Sequence, residues 1–209
     1  MKYFLILITL FTCRFATAQQ RVVAECTINY ILLADSTNKD IDLKEELKST
    51  FKSIYIKGNQ SRVDLISNAF RQSVFFDKSL SEATILREIG DNKYISKLNK
   101  EDWLKLNQKF DDANVIKKDE SKTILGFECK KAIIQLKDKS EYTVYYTLSI
   151  VPSVREYEYQ FINVPGFVLE YSTTEKGNTI IYKAVKINLN PVPTHYFDIP
   201  SSGYRLLNN

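Results

Sequence analysis

The sequence predicts a β-dominated α+β domain: one long, curved antiparallel sheet with two short helices against one face. Three observations carry this expectation. In 209 residues, 13 Tyr and 12 Phe stand beside one Trp and six Gly, a profile that suits half-buried pleated strands, where aromatic rings pack well. Apolar and polar residues alternate over many short runs roughly ten residues apart, the spacing of consecutive hairpins. Only two stretches instead place apolar residues three or four apart, as a helix face requires.

Taken in order, Cys26, Ile28, Tyr30 and Leu32 share one face of a strand, with Thr27 and Asn29 opposite. The polar stretch Asp35 to Asp40 marks a loop. Leu43, Leu47 and Phe51 then indicate a short helix from about Asp42 to Ser49. Ser53 to Lys57 and Arg62 to Phe70 flank Gly58-Asn59-Gln60, a hairpin signal that also accounts for the Asn59-Gln60-Ser61 sequon. Ser73 to Asp77, Ala83 to Glu88 and Lys93 to Leu98 continue the meander, separated by Lys78-Ser79-Leu80-Ser81 and Gly90-Asp91-Asn92 as turns. Asn99 can cap a second helix, whose face carries Trp103, Leu106 and Phe110. Strand signals resume at Lys122 to Leu136, Tyr142 to Ile150, Tyr157 to Phe161, Phe167 to Thr173 and Thr179 to Asn190. Leu206 and Leu207 follow Tyr204 as a closing edge strand.

Residues 1–18 read as a secretory signal. Lys2 gives a positive start, Phe4 to Phe11 is apolar except for Thr9, and Ala16-Thr17-Ala18 forms an A-x-A exit. The competing reading, Leu10 to Cys13 as a lipobox with Cys13 anchored by lipid, places Phe11 and Thr12 where small residues are favoured. Residues 19–209 have no Pro/Gly/Ser-rich linker and no internal repeat, and read as one domain of an exported protein in the periplasm or cell envelope. No later run approaches the ~20 apolar residues of a membrane-spanning helix. Removing Lys2 and Arg14 leaves 27 positive charges against 25 negative, dispersed along the chain. Nucleic-acid binding needs a concentrated basic face, so it is excluded as a partner class. Cys26 and Cys129 survive processing, and either pair as one disulfide or stay buried as thiols.

Catalytic chemistry finds little support. His195 is the lone imidazole and no G-x-S-x-G occurs, so a nucleophile with its base is not visible. The carboxylate pairs Glu101/Asp102 and Asp111/Asp112 flank the second helix rather than face each other across a cleft. Asp35, Asn38, Asp40 and Asp42 miss the spacing of a calcium loop and its central Gly. No metal and no cofactor is expected.

Three motifs lie in order in the C-terminal half. Gly126-Phe127-Glu128-Cys129-Lys130-Lys131-Ala132, then Tyr145-Tyr146-Thr147-Leu148-Ser149-Ile150, then Val164-Pro165-Gly166-Phe167-Val168-Leu169-Glu170 together resemble the GLPGLI family of exported proteins. Tyr145 replaces the family's Trp; Pro165 and Gly166 match the naming motif, while Asn163, Val164, Phe167 and Val168 depart from it. Tyr55 to Arg62 and the closing Phe197 to Tyr204 are similar to segments of LolA-like lipoprotein carriers. The resemblance implies an open half-barrel with the helices on its concave face, a surface able to hold a lipid or a lipoprotein acyl chain, and no catalytic residues. The expected ligand lining is Phe75, Phe76, Tyr145, Tyr157, Tyr159, Phe161 and Phe167; Gly126, Cys129, Pro165 and Gly166 are expected to shape the backbone. The alternatives are an envelope interaction protein whose interior is filled by its own side chains and, third, an exported hydrolase centred on His195.

Overall fold

The structure is a computed structural model that describes residues 21–207 except residue 176; the signal segment lies outside them. β1 (Arg21–Val23) runs into β2 (Glu25–Ala34), α1 (Ile41–Lys48), β3 (Phe51–Lys57), β4 (Gln60–Ile66), β5 (Phe70–Asp77), β6 (Glu82–Ile89), β7 (Asn92–Leu98) and α2 (Lys100–Asn107). The second half holds β8 (Asn114–Ile124), β9 (Phe127–Gln135), β10 (Glu141–Thr147), β11 (Ile150–Pro152), β12 (Phe167–Glu175), β13 (Asn178–Asn188) and β14 (Arg205–Leu206).

Twelve strands form one open sheet in the order β14-β7-β6-β5-β4-β3-β2-β13-β12-β10-β9-β8. The expected architecture, a β-dominated sheet with two short helices, is present. Two meanders, β2–β7 and β8-β9-β10-β12-β13, meet at an antiparallel seam where β2 pairs with β13. β14 lies parallel to β7, so the sheet is mixed rather than wholly antiparallel. β1 and β11 form a separate parallel pair. Among the described residues, no helix is long and apolar enough to cross a membrane.

Local chemistry sets the boundaries. Asp40 caps α1 by accepting from the Leu43 N–H at 3.0 Å, and Asn99 caps α2 by accepting from Asp102 at 2.9 Å. Gly58 and Gly90, both at positive φ, open the turns from β3 to β4 and from β6 to β7, where a side chain would be strained. The Ser67 hydroxyl accepts from the N–H groups of Ala69 and Phe70, closing a turn inside what read as one run from Arg62 to Phe70.

Three sequence expectations are corrected. Lys122 to Leu136 is two strands, not one: Leu125 and Gly126 both adopt positive φ between the paired Ile124 and Phe127, the tight turn that two-residue hairpins favour. Tyr157 to Phe161 alternates in sequence yet forms two 3₁₀ turns, Arg155–Tyr157 and Tyr159–Phe161, because both rings plug the core instead of pairing with a strand. The helical stripe is also interrupted. Trp103 and Phe110 are buried, but Leu106 is 52% exposed and Phe110 sits in a 3₁₀ turn after α2.

The sheet has two dissimilar faces. The inner face carries the main core, with Ile28, Ile54, Val144 and Phe167 almost wholly excluded from solvent, and is covered by β1, β11, the 3₁₀ segment and α2. Leu32 and Leu47 are buried while Ile31 and Leu33, which point the other way, are exposed; α1 therefore covers the inner face of β2 as well. Across part of the outer face runs a C-terminal strap from residue 191, which ends where β14 joins the edge of the sheet at β7.

Candidate functional site

The strap is built onto the sheet by polar contacts to its own backbone. Glu25 accepts from the Val192 N–H at 2.7 Å, Lys57 donates to the Val192 carbonyl at 2.8 Å, and Arg62 donates to the Tyr196 carbonyl at 2.7 Å. The Val192 hydrogen bond, aided by Lys57, holds the Glu25 carboxyl below its usual range. Tyr55 stacks on Tyr196 with centroids 4.8 Å apart, and Arg62 lies over both Tyr55 and Phe75. Tyr204 seats among Phe75, Leu86 and Ile95 and donates to Glu88. Desolvation, then the Glu88 carboxylate, pushes its phenol up to about 12.

Where the strap passes the turn end of β4–β7, it leaves a half-open cleft of about 430 Å³. Phe75 and Phe76 of β5, Ala83 of β6 and Leu98 of β7 meet Phe197 and Ile199 of the strap there. Asp77, Glu82, Lys97 and Asp102 supply the charges. The Asp77 carboxylate accepts from the Ser79 and Leu80 N–H groups and from Gln60, which fixes the β5–β6 turn forming one wall. The volume lies within the usual range of small-molecule sites.

The inner face is organised around a buried cation. Lys52 ion-pairs with Glu158 and donates to the Tyr171 hydroxyl at 2.8 Å. The rings of Tyr30, Tyr171 and Tyr182 surround its ammonium, with centroids 4.8–5.5 Å away. Burial drives the Lys52 pKa down, while Glu158 pulls it back up. Desolvation raises the phenols of Tyr30, Tyr157 and Tyr171 well above their ordinary value. Tyr30 donates to the Val168 carbonyl at 2.6 Å, and Gln160 donates to the same Glu158 oxygen that Lys52 contacts.

The expected lining residues do not converge on one cavity. Phe75 and Phe76 line the cleft from opposite faces of β5. Tyr157, Phe161 and Phe167 interlock in the core, Tyr157 and Phe167 with centroids 4.9 Å apart. Tyr159 meets Trp103 edge-on at 6.3 Å. Tyr145 lies beneath Lys122 and donates to Glu120. Cys26 and Cys129 are free, buried thiols, pushed up by desolvation to about 12 and about 11. They stand on β2 and β9, four strand positions apart in the sheet order, and are not bonded to each other. Pro165 precedes β12. Gly166 is required for space: a Cβ there would lie 1.9 Å from the Thr147 carbonyl oxygen. Gly126 serves the β8–β9 turn.

His195 stacks on Tyr196 within the strap. Asp35 and Asn38 spend oxygens on neighbouring loop groups, and Asp40 on its helix cap. Among the described residues, no group of three or more His, Cys, Asp or Glu could hold a metal ion. Sequence reasoning missed Lys52, Glu158 and the strap's Phe197 and Ile199. Lys52 was detectable, because it stands in phase with Ile54 and Ile56 on the buried side of β3.

No protein-family model and no curated protein matches the chain. Among solved structures it is similar to PNGF-II. One crystal form gives a TM-score of 0.52 at 11% identity, covering 88% of this chain and 31% of that one. A second gives 0.49 at 12% identity, covering 87% and 30%. This chain spans about a third of PNGF-II's length, and at such identity the likeness shows the fold alone.

Proposed function

We propose that the chain is an exported, non-enzymatic protein that binds a lipid or other amphiphile at the strap cleft rather than inside the sheet. The observation that carries this reading is the cleft itself, about 430 Å³, whose apolar part comes from the strap's Phe197 and Ile199 and the edges of the largely buried Phe75 and Phe76. Burying an alkyl chain there contributes ~0.8 kcal/mol per methylene removed from water. The resemblance to GLPGLI and LolA-like proteins supports the ligand class. The inner face, by contrast, is occupied by Trp103, Phe110, Tyr157, Phe161 and Phe167.

Titration with dodecyl maltoside below its micelle concentration tests the reading. Saturable 1:1 binding is expected, lost in Thr84→Trp, which fills the cleft from a half-exposed position. No saturable binding, or binding unchanged in the variant, would sink it. A second reading, an envelope interaction module, draws on the uncovered part of the outer face. There Ile31 pairs with Phe51 across β2 and β3, and both stay exposed beside Leu33.

A further inference from the structure

We propose that the cleft selects amphiphiles by head-group charge, taking a cationic or ammonium head in preference to a carboxylate. The inference rests on the cleft being a ligand site and names the chemistry of what enters it. Three carboxylates, Asp77, Glu82 and Asp102, lie in the lining against one ammonium, Lys97. Asp77 already serves its own turn. Glu82 and Asp102 make no side-chain hydrogen bond or ion pair to other described residues, and Glu82 is exposed while Asp102 is half-buried.

Physical chemistry gives the sign. An alkyl chain between Phe75 and the strap's Phe197 places its head among groups of net negative charge, beside low-dielectric walls that weaken screening. Aromatic faces in the lining also favour a cation over an anion. A fatty-acid carboxylate meets the opposite field, with only Lys97 to receive it. Without residues 1–18 the chain carries 27 positive charges against 25 negative, so non-specific attraction would favour the anion. A preference for the cation is therefore a property of the cleft and not of the molecule's overall charge.

The test compares three dodecyl probes on the full chain by calorimetric titration: dodecylammonium, neutral dodecyl maltoside and dodecanoate. Dodecylammonium is expected to bind about ten times more tightly than dodecanoate, with the maltoside between. The gap should shrink several-fold in 0.5 M salt and in Glu82→Gln/Asp102→Asn. If dodecanoate binds as well as the ammonium, or the preference survives loss of both carboxylates, the charge inference falls and the binding site stands. If the maltoside does not bind, the site itself is overturned and the inference with it. Circular dichroism on the double variant separates lost selectivity from lost fold.

Discussion

Single atoms decide several features of this chain. Gly166 sits where the backbone before β12 passes the end of β10, and even one methyl group would meet the Thr147 carbonyl at 1.9 Å. The contact is with main chain, which cannot swing aside as a side chain would. Gly166→Ala is expected to destabilise the protein by about 1–3 kcal/mol, read as a lower denaturation midpoint in urea; a neutral result would mean the two strands are free to separate. The pairing of Pro165 with Gly166 was visible in the sequence as a shaped approach to β12. Its cause was not, because a close approach between residues nearly twenty positions apart leaves no local pattern.

At the scale of elements, the 3₁₀ segment is held over β3 by the Lys52–Glu158 pair and its ring of tyrosines. Removing one member strands the other in a poorly solvated interior. Lys52→Met should therefore cost about 3–5 kcal/mol, whereas Lys52→Met/Glu158→Leu should recover most of that loss. Denaturant unfolding of the four species measures the coupling; additive losses would show that the pair does not act as a unit. The meander β2–β7 was legible because each strand alternates and each turn carries Gly, Asn or Ser, as at Gly58-Asn59 and Gly90-Asp91. The Tyr157–Phe161 segment was misread as a strand, since period-two alternation also occurs where rings are anchored by 3₁₀ turns. Most of β8 was missed because Lys117 to Lys122 is entirely polar. It forms one edge of the sheet, where charge discourages pairing with another chain. The strap cleft was unreadable for a different reason: its walls come from β5 to β7 and from residues about a hundred positions later, brought together only by tertiary folding.

For the molecule as a whole, the buried phenols set the alkaline limit. Tyr30, Tyr157 and Tyr171 have folded-state pKa values above the unfolded 10.0. They contribute stability that is fully present below about pH 10 and is lost as pH climbs toward their folded values. Lys52 works in the opposite sense. Its lowered pKa adds stability with rising pH up to 10.5, but it is one group against three. Net stability should fall above about pH 10, with tyrosinate absorbance rising cooperatively as the fold melts. Gradual ionisation of all tyrosines with the far-ultraviolet circular dichroism intact would contradict this. The seam between β2 and β13 carries a further consequence, for the order of events during synthesis. Strands β2–β7 are neighbours in the chain and can pair as soon as they emerge, but the free edge of β2 must wait for Asn178–Asn188. Throughout most of translation the nascent chain therefore presents an unpaired strand from what becomes the middle of the sheet, and a holding factor that masks β2 until the second meander arrives would spare it from pairing with the wrong edge.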